Sequence, residues 1–234
     1  MGRLSDMIWQ RVRAGYYAFD FVRSLPFADR LGKAVHDWET RRGYGDSPKA
    51  KDGWDAQFSN GQWEYMRKET PRYATIIDCI RRYSGAGAIL DVGCGQGILF
   101  QHVMDANLPH RRYVGVDISE VAIAGLAPYN DGRHSFVQGD GDTYEPEGRF
   151  DLIIFNESLY YLKEPLQALQ RYATALEPKG VFLISTYTSS RRALAILRDV
   201  KRKFTVVEEK ETCQGGLTWL CTILRTDTAA ATPA

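Results

Sequence analysis

The chain lacks any apolar run approaching the length of a membrane span, and its amino terminus lacks the apolar centre of a secretion signal, so a cytoplasmic protein is expected. It has no excess of one charge. Thirty Lys and Arg face 29 Asp and Glu, and a formal net charge of +1 sets up no field that would draw nucleic acid. Cysteine is sparse: Cys79, Cys94, Cys213 and Cys221 are scattered with no C-x-x-C pair, which suggests neither a zinc site nor a disulfide framework. No resident metal is therefore expected. Without an internal repeat, a solenoid or propeller is excluded. What remains is 234 residues, 44% hydrophobic and 25% charged, enough for one large α/β domain with a buried core.

The stretch that organises the chain is Ala88-Ile-Leu-Asp-Val-Gly-Cys-Gly-Gln-Gly-Ile-Leu-Phe100. Ile89, Leu90 and Val92 predict a buried parallel strand, too short for a helix and bounded by glycine. Gly93, Gly95 and Gly97 permit a tight turn and a close approach of backbone to a ligand, and residues 98–104 predict the start of a helix. Strand, glycine turn and helix make a nucleotide-type pocket at the carboxyl end of a central strand. The dinucleotide fingerprint G-x-G-x-x-G is not met, because the third glycine comes one residue early and Ile98 takes its place. Asp91, two residues before the first glycine, suits a cationic ligand better than a pyrophosphate.

Asp91-Val-Gly-Cys-Gly-Gln-Gly97 resembles motif I of the class I S-adenosylmethionine (SAM)-dependent methyltransferases. SAM carries a sulfonium and an ammonium group, which an acid beside a glycine loop would suit. The resemblance covers about residues 54–225. It implies a Rossmann-like, doubly wound seven-stranded sheet of order 3-2-1-4-5-7-6 with an antiparallel last strand, SAM as cofactor and S-adenosylhomocysteine as product.

Taken in order, residues 6–23 carry Ile8, Val12, Tyr16, Phe19 and Val22 at spacings of three and four, an amphipathic helix. A second short helix is expected over Phe27–Trp38. A basic, aromatic helix of this kind can lie on a membrane surface, but more commonly it packs on its own domain. Gly43–Gly53 reads as a polar loop, and residues 1–53 as a helical extension that could cover a site. An aromatic cluster follows (Trp54, Phe58, Trp63, Tyr65, Tyr73), and Trp54–Tyr65 resembles the pre-domain segment of bacterial small-molecule methyltransferases, where it covers the cofactor. Simple packing is the other reading. Ile76, Ile77 and Ile80 mark a helix into the glycine stretch.

Tyr113–Asp117 predicts a second strand ending in an acid, with Ser119 as cap of a helix over Val121–Leu126. In the family's pattern Asp117 accepts from both ribose hydroxyls and Ile118 packs on the adenine. Ser135–Gln138 predicts a third strand. The Gly139-Asp-Gly-Asp142 after it resembles the segment that holds adenine, with Asp140 beside Gly141 or else Asp142 accepting from the exocyclic amine. Phe150–Phe155 and Val181–Thr186 predict the fourth and fifth strands, separated by a helix from Pro165 that Glu177–Gly180 closes. A helix over Arg191–Val200 follows, then an antiparallel pair, Phe204–Val207 and Leu217–Leu224. Thr226–Ala234 reads as a disordered tail.

The resemblance implies that Asp91, Gly93, Cys94, Gly95, Gly97, Asp117, Ile118, Asp140, Gly141 and Asn156 form the cofactor side. Asn156-Glu-Ser-Leu-Tyr-Tyr161 leaves the fourth strand where this fold faces the transferred methyl, and it lacks the Pro-Pro-Tyr/Phe pattern of amino-group nucleic-acid enzymes. Glu157 is the candidate base or acceptor-orienting group, or alternatively it only caps the following turn or binds a backbone N–H. Tyr160 and Tyr161 shape the pocket, with Tyr187 as a further lining candidate. None of the four histidines suits the base role: His102 lies on the helix after motif I, His110 and His134 precede strands, and His36 is far upstream. The expected reaction is methyl transfer to a small polar acceptor, a sugar or natural-product hydroxyl by analogy. N-methylation of an amino-sugar or protein substrate, or a catalytically silent partner subunit, is the alternative.

Overall fold

The computed structural model describes residues 2–19, 22, 25–27, 30–32, 34, 35, 38, 48–61, 63, 66, 71–214 and 217–226. Seven strands form one sheet: β1 (Ala86–Val92), β2 (His110–Asp117), β3 (His134–Gln138), β4 (Phe150–Asn156), β5 (Leu176–Tyr187), β6 (Thr205–Gln214) and β7 (Leu217–Arg225). Their order is β3-β2-β1-β4-β5-β7-β6, with β7 antiparallel to both neighbours, as the resemblance implied. The central strands are apolar along nearly their whole length because helices cover both faces. On one face α3 (Pro71–Tyr83) and α4 (Ile98–Asp105) pack Ile76, Ile80, Leu99 and Val103 against Ile89, Leu152 and Ile154. On the other, α6 (Pro165–Ala173) and α7 (Arg191–Lys201) bring Leu169, Tyr172 and Val200 against Leu90, Ile153 and Phe182.

Three shorter features position the site. Helix α2 (Lys51–Ser59) lies over the carboxyl end of the sheet, beginning inside the segment expected to be a loop up to Gly53. Lys51 and Asp55, one turn apart and 2.6 Å from each other, support it. Helix α5 (Glu120–Ala124) starts at Ser119, whose hydroxyl accepts from the Ala122 N–H at 3.2 Å. The turn Leu159–Tyr161 follows β4.

Helix α1 (Gly2–Ala18) begins earlier than the expected residue 6 and ends before residue 23. Its Trp9, Val12 and Tyr16 pack with Val35 on Ala195 of α7, so the helix docks on its own domain while Met7 and Ile8 stay exposed. No helix among the described residues is long and apolar enough to cross a membrane. The second expected helix falls partly, and residues 43–47 and 227–234 wholly, outside the described residues.

Strand boundaries differ where apolar patterning is weak. Glu177–Gly180 does not close the preceding helix; it opens β5, across a shift of register between Phe150 and Leu152 on β4. His110 and His134 do not precede strands but begin β2 and β3, their Nε2 atoms 2.9 Å apart. Strand β6 runs ten residues, well past Val207, because its charged positions are covered by polar partners on α3: Lys210 meets Asp78 at 2.7 Å, and the Tyr83 hydroxyl donates to Glu208 at 2.7 Å.

Candidate functional site

At the carboxyl ends of β1 and β2 the glycine loop is drawn back over the sheet. The Gly93 and Cys94 N–H groups both donate to the Val116 carbonyl, at 2.7 and 3.0 Å. This turn requires left-handed backbone at Gly93 and Gly97, with φ of 80° and 73°. Space is short at both positions as well, more severely at Gly93. A Cβ on Gly93 would stand 2.4 Å from the Ser158 Cβ, and one on Gly97 would stand 2.6 Å from Leu126 Cδ2. The middle of the loop is tied to the end of β2. Gly95 N–H donates to Asp117 Oδ2 at 2.8 Å, and Ser119 N–H donates to Asp117 Oδ1 at 2.9 Å. Each Asp117 oxygen keeps a further lone pair for a ligand, and burial raises the carboxyl above its usual range.

Above the loop opens a cavity of about 580 Å³. Its floor is the glycine loop with Val116, Asp117 and Ile118; one side is Gly139–Asp142, and the other is Asn156, Glu157, Ser158 and Tyr161. Its roof is aromatic: Trp54, Phe58 and Trp63, from α2 and the turn beyond it. Lys49 and Lys51 line the cavity together with Trp54, Phe58 and Trp63, so its lining straddles the position at which an extension and a catalytic domain were expected to divide.

Most of the expected cofactor-side residues line this cavity: Gly93, Cys94, Gly95, Asp117, Ile118, Asp140, Gly141 and Asn156. Gly97 shapes the loop from beneath. Asp91 does not reach the wall. Strand alternation turns it away from Val92, towards the α3 face, where it is buried and accepts from the Tyr113 hydroxyl at 2.8 Å. Burial there pushes its carboxyl up to about 7. Of the two acids in Gly139–Asp142, Asp142 is engaged by the Lys163 and Glu164 N–H groups, at 3.0 and 3.3 Å. Asp140, which lines the cavity as Asp142 does, receives the single Asp142 N–H on Oδ1 at 2.9 Å, so it is the less engaged acid and the better disposed towards a ligand.

Three buried side-chain oxygens around the loop have no hydrogen-bond partner: Asp91 Oδ1, Gln96 Oε1 and Asn156 Oδ1. All three are acceptors, and Gln96 and Asn156 line the cavity. Unsatisfied buried acceptors are costly, so the site fits a ligand that brings hydrogen-bond donors.

Glu157 lies on the cavity wall with a left-handed backbone, φ 58°, a strained conformation for a residue with a side chain. It does not cap its own turn, but its carboxylate does accept from a backbone N–H, that of Tyr187. Its Oε1 accepts from the Ser185 hydroxyl at 2.7 Å, and its Oε2 accepts from the Tyr160 hydroxyl at 2.9 Å. Burial outweighs these donors and holds the carboxyl above the usual range. Tyr160 stands behind Glu157 as its donor and does not line the cavity, whereas Tyr161 does. Tyr187 packs on Trp219, ring centroids 5.7 Å apart, and is absent from the wall. Behind the turn, the buried Arg192 donates to the Tyr160 and Leu162 carbonyls at 2.9 and 3.1 Å, fixing Tyr161 relative to Glu157.

Sequence reasoning missed Asp55, Ser185 and Lys49. Only Asp55 left a trace in sequence, as the i,i+4 partner of Lys51. Among the described residues no cluster of His, Cys, Asp and Glu could hold a metal.

Comparison with known proteins agrees with this architecture. A family model described as "Methyltransferase domain" matches residues 48–211. A release factor glutamine methyltransferase of Geobacter sulfurreducens is 38% identical over 117 residues, 47% of this chain and 40% of that protein. A ubiquinone biosynthesis O-methyltransferase of Bradyrhizobium diazoefficiens is 28% identical over 53% of this chain and 48% of its own. The chain spans about half the length of the curated relatives it matches. Among solved structures, a Burkholderia thailandensis 1,6-didemethyltoxoflavin-N1-methyltransferase with S-adenosylhomocysteine bound shares the fold. It has a TM-score of 0.58 at 19% identity, over 75% of this chain and 86% of that one.

Proposed function

The chain belongs to the class I SAM-dependent methyltransferases, and on that premise we propose that it transfers a methyl group from SAM to a small polar acceptor bound beneath α2. The observation that carries this reading is the cavity itself, with unpartnered acceptors beside a left-handed glycine loop and a buried carboxylate across from them. In this reading Gly93–Gln96 and Asn156 surround the methionine part of the cofactor, Asp117 the ribose, and Ile118 and Asp140 the adenine. The cofactor supplies an activated methyl carbon.

The rest of the work falls to the chain. Trp54, Phe58 and Trp63 exclude water and narrow the positions open to the acceptor, and such alignment supplies much of the acceleration in an in-line displacement. Glu157 accepts the acceptor's proton. A carboxylate kept basic by burial suits that task better than an exposed one, and Ser185 and Tyr160 hold it in place. A sugar or natural-product hydroxyl is the acceptor that the resemblance favours. An amine is the second reading, favoured by a cation already resident on the aromatic wall. Calorimetric titration with S-adenosylhomocysteine, followed by a screen of cell extract for SAM-dependent mass gains of one methyl group, tests the reading. Failure to bind the product would overturn it.

A further inference from the structure

Trp54 and Tyr161 meet edge to face, with ring centroids 4.8 Å apart and planes at 86°. Two walls at a right angle do not both stack on one flat ring, but both can attract one small cation. The protein places a cation there itself. Lys49 Nζ lies 4.8 Å from the Trp54 centroid and 5.1 Å from that of Tyr161. Trp63 and Phe58, at 6.2 and 6.3 Å from Trp54, continue the aromatic surface, and all five residues line the cavity.

We propose that this corner is a recognition box for an alkylammonium group and that the methyl acceptor is an amine, which displaces the Lys49 ammonium as it enters. The proposal rests on the methyltransferase reading of the same cavity and names its substrate class.

The chemistry is consistent with the walls. An amine that binds as its ammonium ion has no free lone pair. Its proton passes to the Glu157 carboxylate, leaving a neutral amine and a carboxylic acid. The nitrogen lone pair then forms the N–C bond as the C–S bond breaks; that bonding pair stays on sulfur, and the positive charge ends on nitrogen. Ring faces that attract this charge stabilise the transition state as the charge arrives, whereas a hydroxyl losing its proton to the base ends neutral and gains nothing from them. Glu157 and the box are neighbours. Tyr160, which donates to Glu157, has its ring centroid 4.6 Å from that of Tyr161.

Choline and its carbon isostere 3,3-dimethylbutan-1-ol differ in charge and little in shape, so they probe the box directly. Titrated into the complex with S-adenosylhomocysteine, choline should bind about tenfold tighter than the neutral isostere. Tyr161→Leu should remove that preference, and Tyr161→Phe, which keeps the ring, should restore it. Lys49→Met leaves both rings in place and removes the competing ammonium, so it should tighten choline binding. Equal binding of the two probes, binding of neither, or weaker choline binding in Lys49→Met would overturn the box. If the parent chain does not bind S-adenosylhomocysteine, the methyltransferase reading falls first, and the box with it.

Discussion

The Ser119 hydroxyl donates to the Asp55 carboxylate across 2.6 Å, joining the cap residue of α5 to the helix that roofs the cavity. Asp55 also meets Lys51 at 2.6 Å and accepts from the Val121 N–H at 3.3 Å. The contact fastens the roof to the end of β2, next to the carboxylate that steadies the glycine loop. The roof is therefore latched to the site it covers.

The latch should respond to acid. The Lys51 and Ser119 donors hold the Asp55 carboxyl at about 2, below its unfolded value. A depressed carboxylate contributes its stability above the unfolded pKa and loses it as pH falls through the folded one. Closure of α2 should therefore be full above about pH 4 and weaken towards pH 2. Asp55→Ala should release the roof at neutral pH. The fluorescence of the roof tryptophans should then shift towards the exposed range, and an unchanged spectrum would count against the latch.

Asp117→Ala removes the acceptor proposed for the ribose and unties the Gly95 N–H. Affinity for S-adenosylhomocysteine should fall by roughly 1.5–3 kcal/mol, the usual range for a charged hydrogen bond, as read by calorimetry. Affinity within twofold of the parent would remove Asp117 from the site.

Glu157→Gln keeps the size and removes the basicity. Turnover should drop by roughly 10²-fold with product affinity nearly unchanged. The sign for stability is the opposite of the Asp55 case. A carboxyl raised by burial contributes stability below its unfolded pKa and loses it as pH rises through the folded one. At pH 8, then, the variant should melt no lower than the parent. Turnover close to that of the parent enzyme would show that alignment alone suffices.

Asp91 offers a test away from the acceptor. Its carboxyl, pushed up to about 7 by burial, contributes stability below about pH 4 and loses it as pH rises through 7. The ligand-free parent should lose thermal stability between about pH 4 and 7 and level off above that, and Asp91→Asn should flatten the loss. Parallel melting curves for the two proteins would show that Asp91 does not titrate there.

Residues 86–117 wrote most of the architecture into the sequence. An apolar run too short for a helix, glycines at alternate positions and an acid after the second strand specify local conformation, and local conformation is what pattern encodes. Alternation of strands and helices pointed to a doubly wound sheet, and the strand order came from the resemblance. Where pattern was weak, reading stopped short: β6 is half-exposed and charged, so its length depends on α3, which supplies partners from more than 120 residues away.

The chemistry divides along the same line. Sequence by itself determined that Gly93, Gly97 and Asp117 would meet at one end of the sheet, because a left-handed turn and a strand terminus are local facts. It determined that Glu157 would leave β4 at that end, but not what the carboxylate would touch. Only the tertiary structure brought Ser185 from β5 to Glu157, turned Asp91 to Tyr113 and withdrew Tyr160 from the wall. Only the docking of α2 set Lys49 against Trp54 and Tyr161, over 100 residues apart in the chain. Such contacts depend on how separate elements pack, and the spacing of residues along one element carries no record of which partner another will bring.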